Sequence, residues 1–111
     1  MKTMKCLNFS PRQTFESYAG KELERLMAIA PSDSEGQTRA FFDQDRFVVE
    51  AAISSTEGKF KSSVAVPIPR THPKGREWQM AALDELFGDI ERQLMKWRRK
   101  RFNDLPEKKA A

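Results

Sequence analysis

Apolar residues recur at helical spacing from Phe15 to about Ile29, through Tyr18, Ala19, Leu23, Leu26 and Met27, and predict an amphipathic helix over that span. Thr14 is placed to cap it, and Pro31 with the Ser32 to Gly36 stretch closes it. Gly20 weakens this helix by about 1 kcal/mol relative to Ala. Ahead of it, Met4 to Phe9 reads as a short strand, ended where Ser10-Pro11 biases the chain toward a turn. Beyond it the period changes to two. Arg39 to Phe42 forms a second strand, and the odd positions Phe47, Val49, Ala51 and Ile53 form one face of a third. A turn at Thr56-Glu57-Gly58-Lys59 then leads into a fourth strand, where Phe60, Val64, Val66 and Ile68 continue that face and Ser62 interrupts it. The opposite face of the hairpin carries Glu50, Ser54, Lys59, Lys61 and Ser63.

Pro67, Pro69, Pro73 and Gly75 make Pro67 to Arg76 unfit for a ladder or a helix interior, so this stretch is expected to be a loop. A long helix follows. With about 100° per residue and Leu83 at the origin, Met80, Leu86, Phe87, Ile90, Leu94 and Trp97 all lie within roughly 60° of one direction. This stripe faces the sheet. The predicted order is β-α-β-β-β-α, an α+β fold with a four-stranded, mainly antiparallel sheet and two helices packed on one face. The expected organisation is a single domain over 1–102, irregular at 67–77, with a short, flexible polar tail over 103–111.

Charge adds an asymmetry. The 111 residues carry a formal net charge of +4. Residues 1–69 hold nine Lys/Arg and nine Asp/Glu, whereas residues 70–111 hold eleven and seven, so the excess belongs to the C-terminal end. Arg92, Lys96, Arg98, Arg99, Lys100 and Arg101 follow one another with no acid among them. On the wheel Arg92, Lys96 and Arg99 fall near 180°, 220° and 160°, opposite the apolar stripe. Cations at that pitch can meet successive phosphates, and arginine adds bidentate geometry. The same residues also suit the macrodipole of a solvated helix, with Asp84 and Glu85 early and the cations late. Charge alone leaves both readings open.

Other chemistry is sparse. One cysteine, Cys6, excludes an internal disulfide, and with one histidine, His72, the chain lacks the usual zinc set. Cys6 and His72 suggest no third member of a triad, so no catalysis, cofactor, metal or small-molecule substrate is expected. No run approaches the length of a membrane span and no signal-type h-region opens the chain, which makes a reducing cytoplasm the expected compartment. Trp97 belongs to the apolar stripe. Trp78 is open to either core packing or base stacking.

Within the last helix, Ala81-Ala82-Leu83-Asp84, then Leu86, Ile90 and Arg92-Gln93-Leu94-Met95-Lys96, with Arg98 and Lys100 beyond, resemble the final-helix pattern of the hibernation-promoting factor and ribosome-associated translation inhibitor family. Leu7-Asn8 ahead of the first helix, and the hairpin with its Gly58 turn, are similar to the family's upstream elements. The resemblance covers roughly residues 4–102. It implies binding to the small ribosomal subunit and its rRNA, in the channel used by mRNA and tRNA, with translation suppressed or idle ribosomes preserved under stress. It implies rRNA contacts at Arg92, Lys96, Arg98 and Lys100; Arg99 and Arg101 join them on charge. It also implies a short-form role, because residues 103–111 cannot supply the long form's dimerisation domain.

The sequence departs from the family at several points. Asp89 stands where a lysine is common, Met80 where a tyrosine is frequent, and the first helix is acidic, with Glu16, Glu22 and Glu24. Two other readings use the same layout. One is a double-stranded RNA-binding domain, which would want a basic first turn on the last helix; Lys74 and Arg76 sit near it but Glu77 and Trp78 interrupt. The other is a protein-protein adaptor that docks through the acidic first helix and the Pro-rich loop.

Overall fold

The computed structural model describes residues 2–9, 13–68 and 77–103. Its elements are β1 (Lys2–Cys6), α1 (Gln13–Met27), β2 (Glu35–Asp43), β3 (Arg46–Ser55), β4 (Gly58–Pro67) and α2 (Glu77–Asn103). The sheet order is β1-β2-β3-β4, with β1 parallel to β2 and the remaining pairs antiparallel. Both helices pack on one face. The expected β-α-β-β-β-α layout is the observed one.

Alternation decides which face is buried. In β3 the odd residues Phe47, Val49, Ala51 and Ile53 are buried, and register sets them beside Val66, Val64, Ser62 and Phe60 of β4. Phe15, Ala19, Leu23 and Leu26 descend on this face from α1, and Leu83, Leu86, Phe87, Ile90 and Leu94 from α2. Each buried side chain of this size contributes about 1.5–3 kcal/mol. At one end Phe9, Phe15, Phe42 and Phe47 meet edge-on or tilted, and Trp78 closes this aromatic group against Phe42 and Phe47. Trp78 is thereby a packing residue.

Three boundaries differ from the sequence expectation. β2 begins at Glu35, four residues before the expected start, because its core-facing positions there are Gly36 and Thr38, which give no apolar signal. Gly36 is needed for close approach: a Cβ would stand 2.9 Å from the Met27 sulfur and 3.1 Å from Leu23 Cδ1. Thr14 lies inside α1, which starts at Gln13, and so does not cap it. β1 ends at Cys6, and Asn8 then continues its pairing with a side-chain amide. Asn8 Nδ2 donates to the Phe42 carbonyl at 2.7 Å and its Oδ1 accepts from the Phe42 amide at 2.8 Å. An amide side chain offers one donor and one acceptor, as a peptide group does.

Two tight turns fix the register, Gln44-Asp45 between β2 and β3, where Gln44 has φ 57°, and Thr56-Glu57 between β3 and β4. Gly58 has φ 151°, a value that disfavours a side chain, immediately after the two-residue Thr56-Glu57 connection. Asp33, in the α1–β2 connection, accepts from the Thr56 amide at 2.9 Å and from its hydroxyl at 2.7 Å, which lowers the Asp33 pKa and ties that connection to the hairpin. Of the expected loop, Pro67 ends β4 and Ile68 donates to the Asp45 carbonyl. Residues 69–76, with His72, Lys74 and Arg76, and the tail from 104 lie outside the described residues.

Candidate nucleic-acid interface

α2 carries two kinds of surface along its 27 residues. From Leu83 to Leu94 its apolar stripe is fully buried, and Trp97 makes the last aromatic contact, edge-on to Phe60 with ring centroids 6.0 Å apart. The flanks of the stripe are polar and engaged. On the α1 side Asp84 accepts from the Tyr18 hydroxyl, and Glu91 pairs with Arg25 at 3.0 Å, which also holds Glu22. The bond to Asp84, reinforced by burial and nearby carboxylates, pushes the Tyr18 phenol up to about 12. Glu22 and Glu91 likewise raise the pKa of Arg25.

On the other flank α2 covers the outer edge of β4. Gln93 donates from Nε2 to the Lys61 carbonyl at 2.8 Å and accepts the Lys61 amide on Oε1 at 3.2 Å, the arrangement Asn8 makes on β2. Asp89 accepts from the Ser62 hydroxyl at 2.6 Å and from Arg92 at 3.0 Å, and both bonds, the hydroxyl's first, lower its pKa. Neither anchor was anticipated. Gln93 and Asp89 lie at about 280° and 240° on the wheel, beside the stripe, and only the position of β4 under that flank gives them partners.

The six cations expected to meet RNA separate into four groups. Lys96, Arg99 and Lys100 are exposed and have no ion pair among the described residues. Arg92 is also exposed, its side chain 73% accessible, but it pairs with Asp89. Arg98 turns toward α1, where its Nη1 reaches the Ile29 carbonyl at 3.4 Å just beyond the helix end. Arg98 thereby links the end of α2 to the segment that follows α1 and has a packing role. Arg101 lies in the last turn of α2, and its side chain is outside the described residues. The resulting cationic ridge consists of Lys96, Arg99 and Lys100, with Arg92 behind them and Met95, 44% exposed, among them.

α1 has no comparable ridge. Its Arg25 is held by two carboxylates, and the exposed Lys21 stands among Glu16, Glu22 and Glu24. Among the described residues no group of three or more His, Cys, Asp or Glu is placed to hold a metal ion, and no helix is long and apolar enough to cross a membrane. Cys6 is partly buried against the core, and burial, followed by the charge of Glu16, raises its thiol pKa, opposite to what a nucleophile needs.

No protein-family model matches the sequence, and no curated protein matches it. In structure the chain is similar to a ribosomal subunit interface protein from Coxiella burnetii, with a TM-score of 0.65 and 15% identity over 88% of this chain and 98% of that one. It is also similar to the N-terminal domain of Protein Y from Thermus thermophilus, with a TM-score of 0.63 and 14% identity over 86% of this chain and 94% of that one. The likeness is one of fold.

Proposed function

We propose that the chain binds rRNA of the small ribosomal subunit in the channel for mRNA and tRNA, and by occupancy inhibits translation or preserves idle ribosomes under stress. The observation that carries this reading is the ridge of Lys96, Arg99 and Lys100, without an ion pair among the described residues at the end of α2, in a fold similar to that of a ribosomal subunit interface protein. Its neighbours refine the roles. Lys96, Arg99 and Lys100 act as phosphate contacts, Arg92 joins them when RNA competes with Asp89, and Arg98 holds the helix ends together. Arg101 extends the ridge by charge. Ribosome binding places the protein in the cytoplasm, and a blocking role needs no cofactor.

Sedimentation with separated ribosomal subunits across a salt series, at fixed magnesium, tests this. Association with the small subunit is expected, with an affinity that falls on a log-log slope of about −2 to −4.5, as about three to five neutralised phosphates require. Replacing Lys96 by Gln is expected to reduce that slope by about 1. Absence of subunit binding at every salt concentration would refute the proposal, and a stable RNA-free protein complex would favour the adaptor reading.

A further inference from the structure

The face of the sheet turned away from both helices has its own chemistry. Register places Lys5, Arg39, Glu50 and Ser63 in one row across all four strands, with Gln37, Ala52 and Lys61 in the next. Lys5, Gln37, Arg39, Glu50, Lys59 and Lys61 rim a shallow depression of about 600 Å³ floored by the small residue Ala52. Four cations thus face one carboxylate. Glu50 is committed to Arg39, and Lys5, Lys59 and Lys61 have no ion pair among the described residues. Glu35 lies one row further toward the hairpin end, outside the depression. In the opposite direction, on the same face, Phe41 is partly buried and the Arg39 guanidinium lies over its ring, 6.0 Å from the centroid.

We infer that this open sheet face is a second binding surface, for single-stranded RNA, separate from the ridge on α2. A single strand presents phosphates and bases in alternation, and this face offers cations beside an aromatic platform on a floor without bulky side chains. Successive rows on one face of a strand stand about 7 Å apart, so a base on Phe41 leaves an adjoining phosphate near Lys5, one row away, and Lys61, two rows and two strands from Phe41, meets a phosphate further along the same strand of RNA. The depression is open along the sheet, which suits a chain that continues at both ends. An acidic peptide would use the lysines but gain little from Phe41.

The test uses the full chain and a labelled oligouridylate of about 12 nucleotides, within the usual site size for such surfaces. Lys5→Glu with Lys61→Glu is expected to weaken oligonucleotide binding at least about tenfold and to leave small-subunit sedimentation unchanged. Lys96→Glu, Arg99→Glu and Lys100→Glu together are expected to do the reverse, keeping oligonucleotide affinity within about threefold. The two readings therefore fail separately. Phe41→Leu is expected to weaken binding several-fold with an unaltered salt slope, a readout that distinguishes stacking from charge. The inference is overturned if the unmodified chain does not bind the oligonucleotide, if the Lys5 and Lys61 changes leave binding intact, or if oligoglutamate competes as well as oligouridylate.

Discussion

The first two-thirds of α2 and its last third are one continuous helix with opposite uses of charge. From Trp78 to Leu94 each flank of the helix has partners: Tyr18 on Asp84, Arg25 on Glu91, Ser62 and Arg92 on Asp89, and the Lys61 backbone on Gln93. From Met95 to Lys100 Trp97 packs on Phe60 and Arg98 reaches the Ile29 carbonyl, whereas Lys96, Arg99 and Lys100 face solvent with no ion pair among the described residues. Residue type therefore says less than placement. A cation that reaches a partner element is consumed by packing, whereas one that faces solvent remains available to an external anion.

That contrast is most sharply broken by mutation of the core. Leu86→Ala, at a fully buried site, is expected to destabilise the fold by about 2–5 kcal/mol in denaturant titration. The combined Lys96→Glu, Arg99→Glu and Lys100→Glu variant is expected to change stability by less than about 0.5 kcal/mol per site. Comparable losses in the two variants would mean that the end of α2 is part of the packed structure. Gln93→Ala removes both amide bonds to Lys61 at the edge of β4 and is expected to cost about 1 kcal/mol, read in the same experiment. A neutral result would show that water replaces the side chain at that edge.

The element order and the buried stripes were legible because they depend on periodicity, which the odd residues of β3 and the wheel of α2 display strongly. The first half of β2 was not, since Gly36 and Thr38 occupy core-facing positions without apolar side chains, and the reason for Gly36 lies in Met27 and Leu23 on another element. The basic run was legible as composition. Its partition was not, because Arg98 meets Ile29, 69 positions away, and Arg92 meets an Asp89 that is itself placed by Ser62. Contacts of that range follow from how layers stack.

Smaller effects sharpen the comparison within the packed segment. Gly88 lies mid-helix with ordinary space around it, a Cβ meeting only Arg92 Nη1 at 3.9 Å. Gly88→Ala is therefore expected to stabilise the protein by about 1 kcal/mol, visible as a raised denaturation midpoint; destabilisation would contradict the spacing around this turn. Tyr18 is the sole tyrosine, so tyrosinate absorbance follows it alone. Its folded pKa is raised to about 12, above the ordinary value of about 10, so the bond to Asp84 adds stability that is full below pH 10 and is lost as pH rises through 12. Tyr18→Phe is expected to remove that alkaline dependence, and Asp84→Asn to bring the absorbance midpoint back toward the ordinary value. A midpoint already near 10 in the unmodified chain would show that the seam between α1 and α2 is open.

The most direct test of the α2 ridge is its location on the ribosome. A photo-crosslinking residue at Met95, exposed within the ridge, is expected to join to small-subunit rRNA lining the mRNA and tRNA channel, mapped by primer-extension stops, and to lose those stops when mRNA and tRNA are bound first. Crosslinks confined to rRNA outside the channel, or to ribosomal proteins alone, from a protein that still sediments with the subunit, would contradict the account.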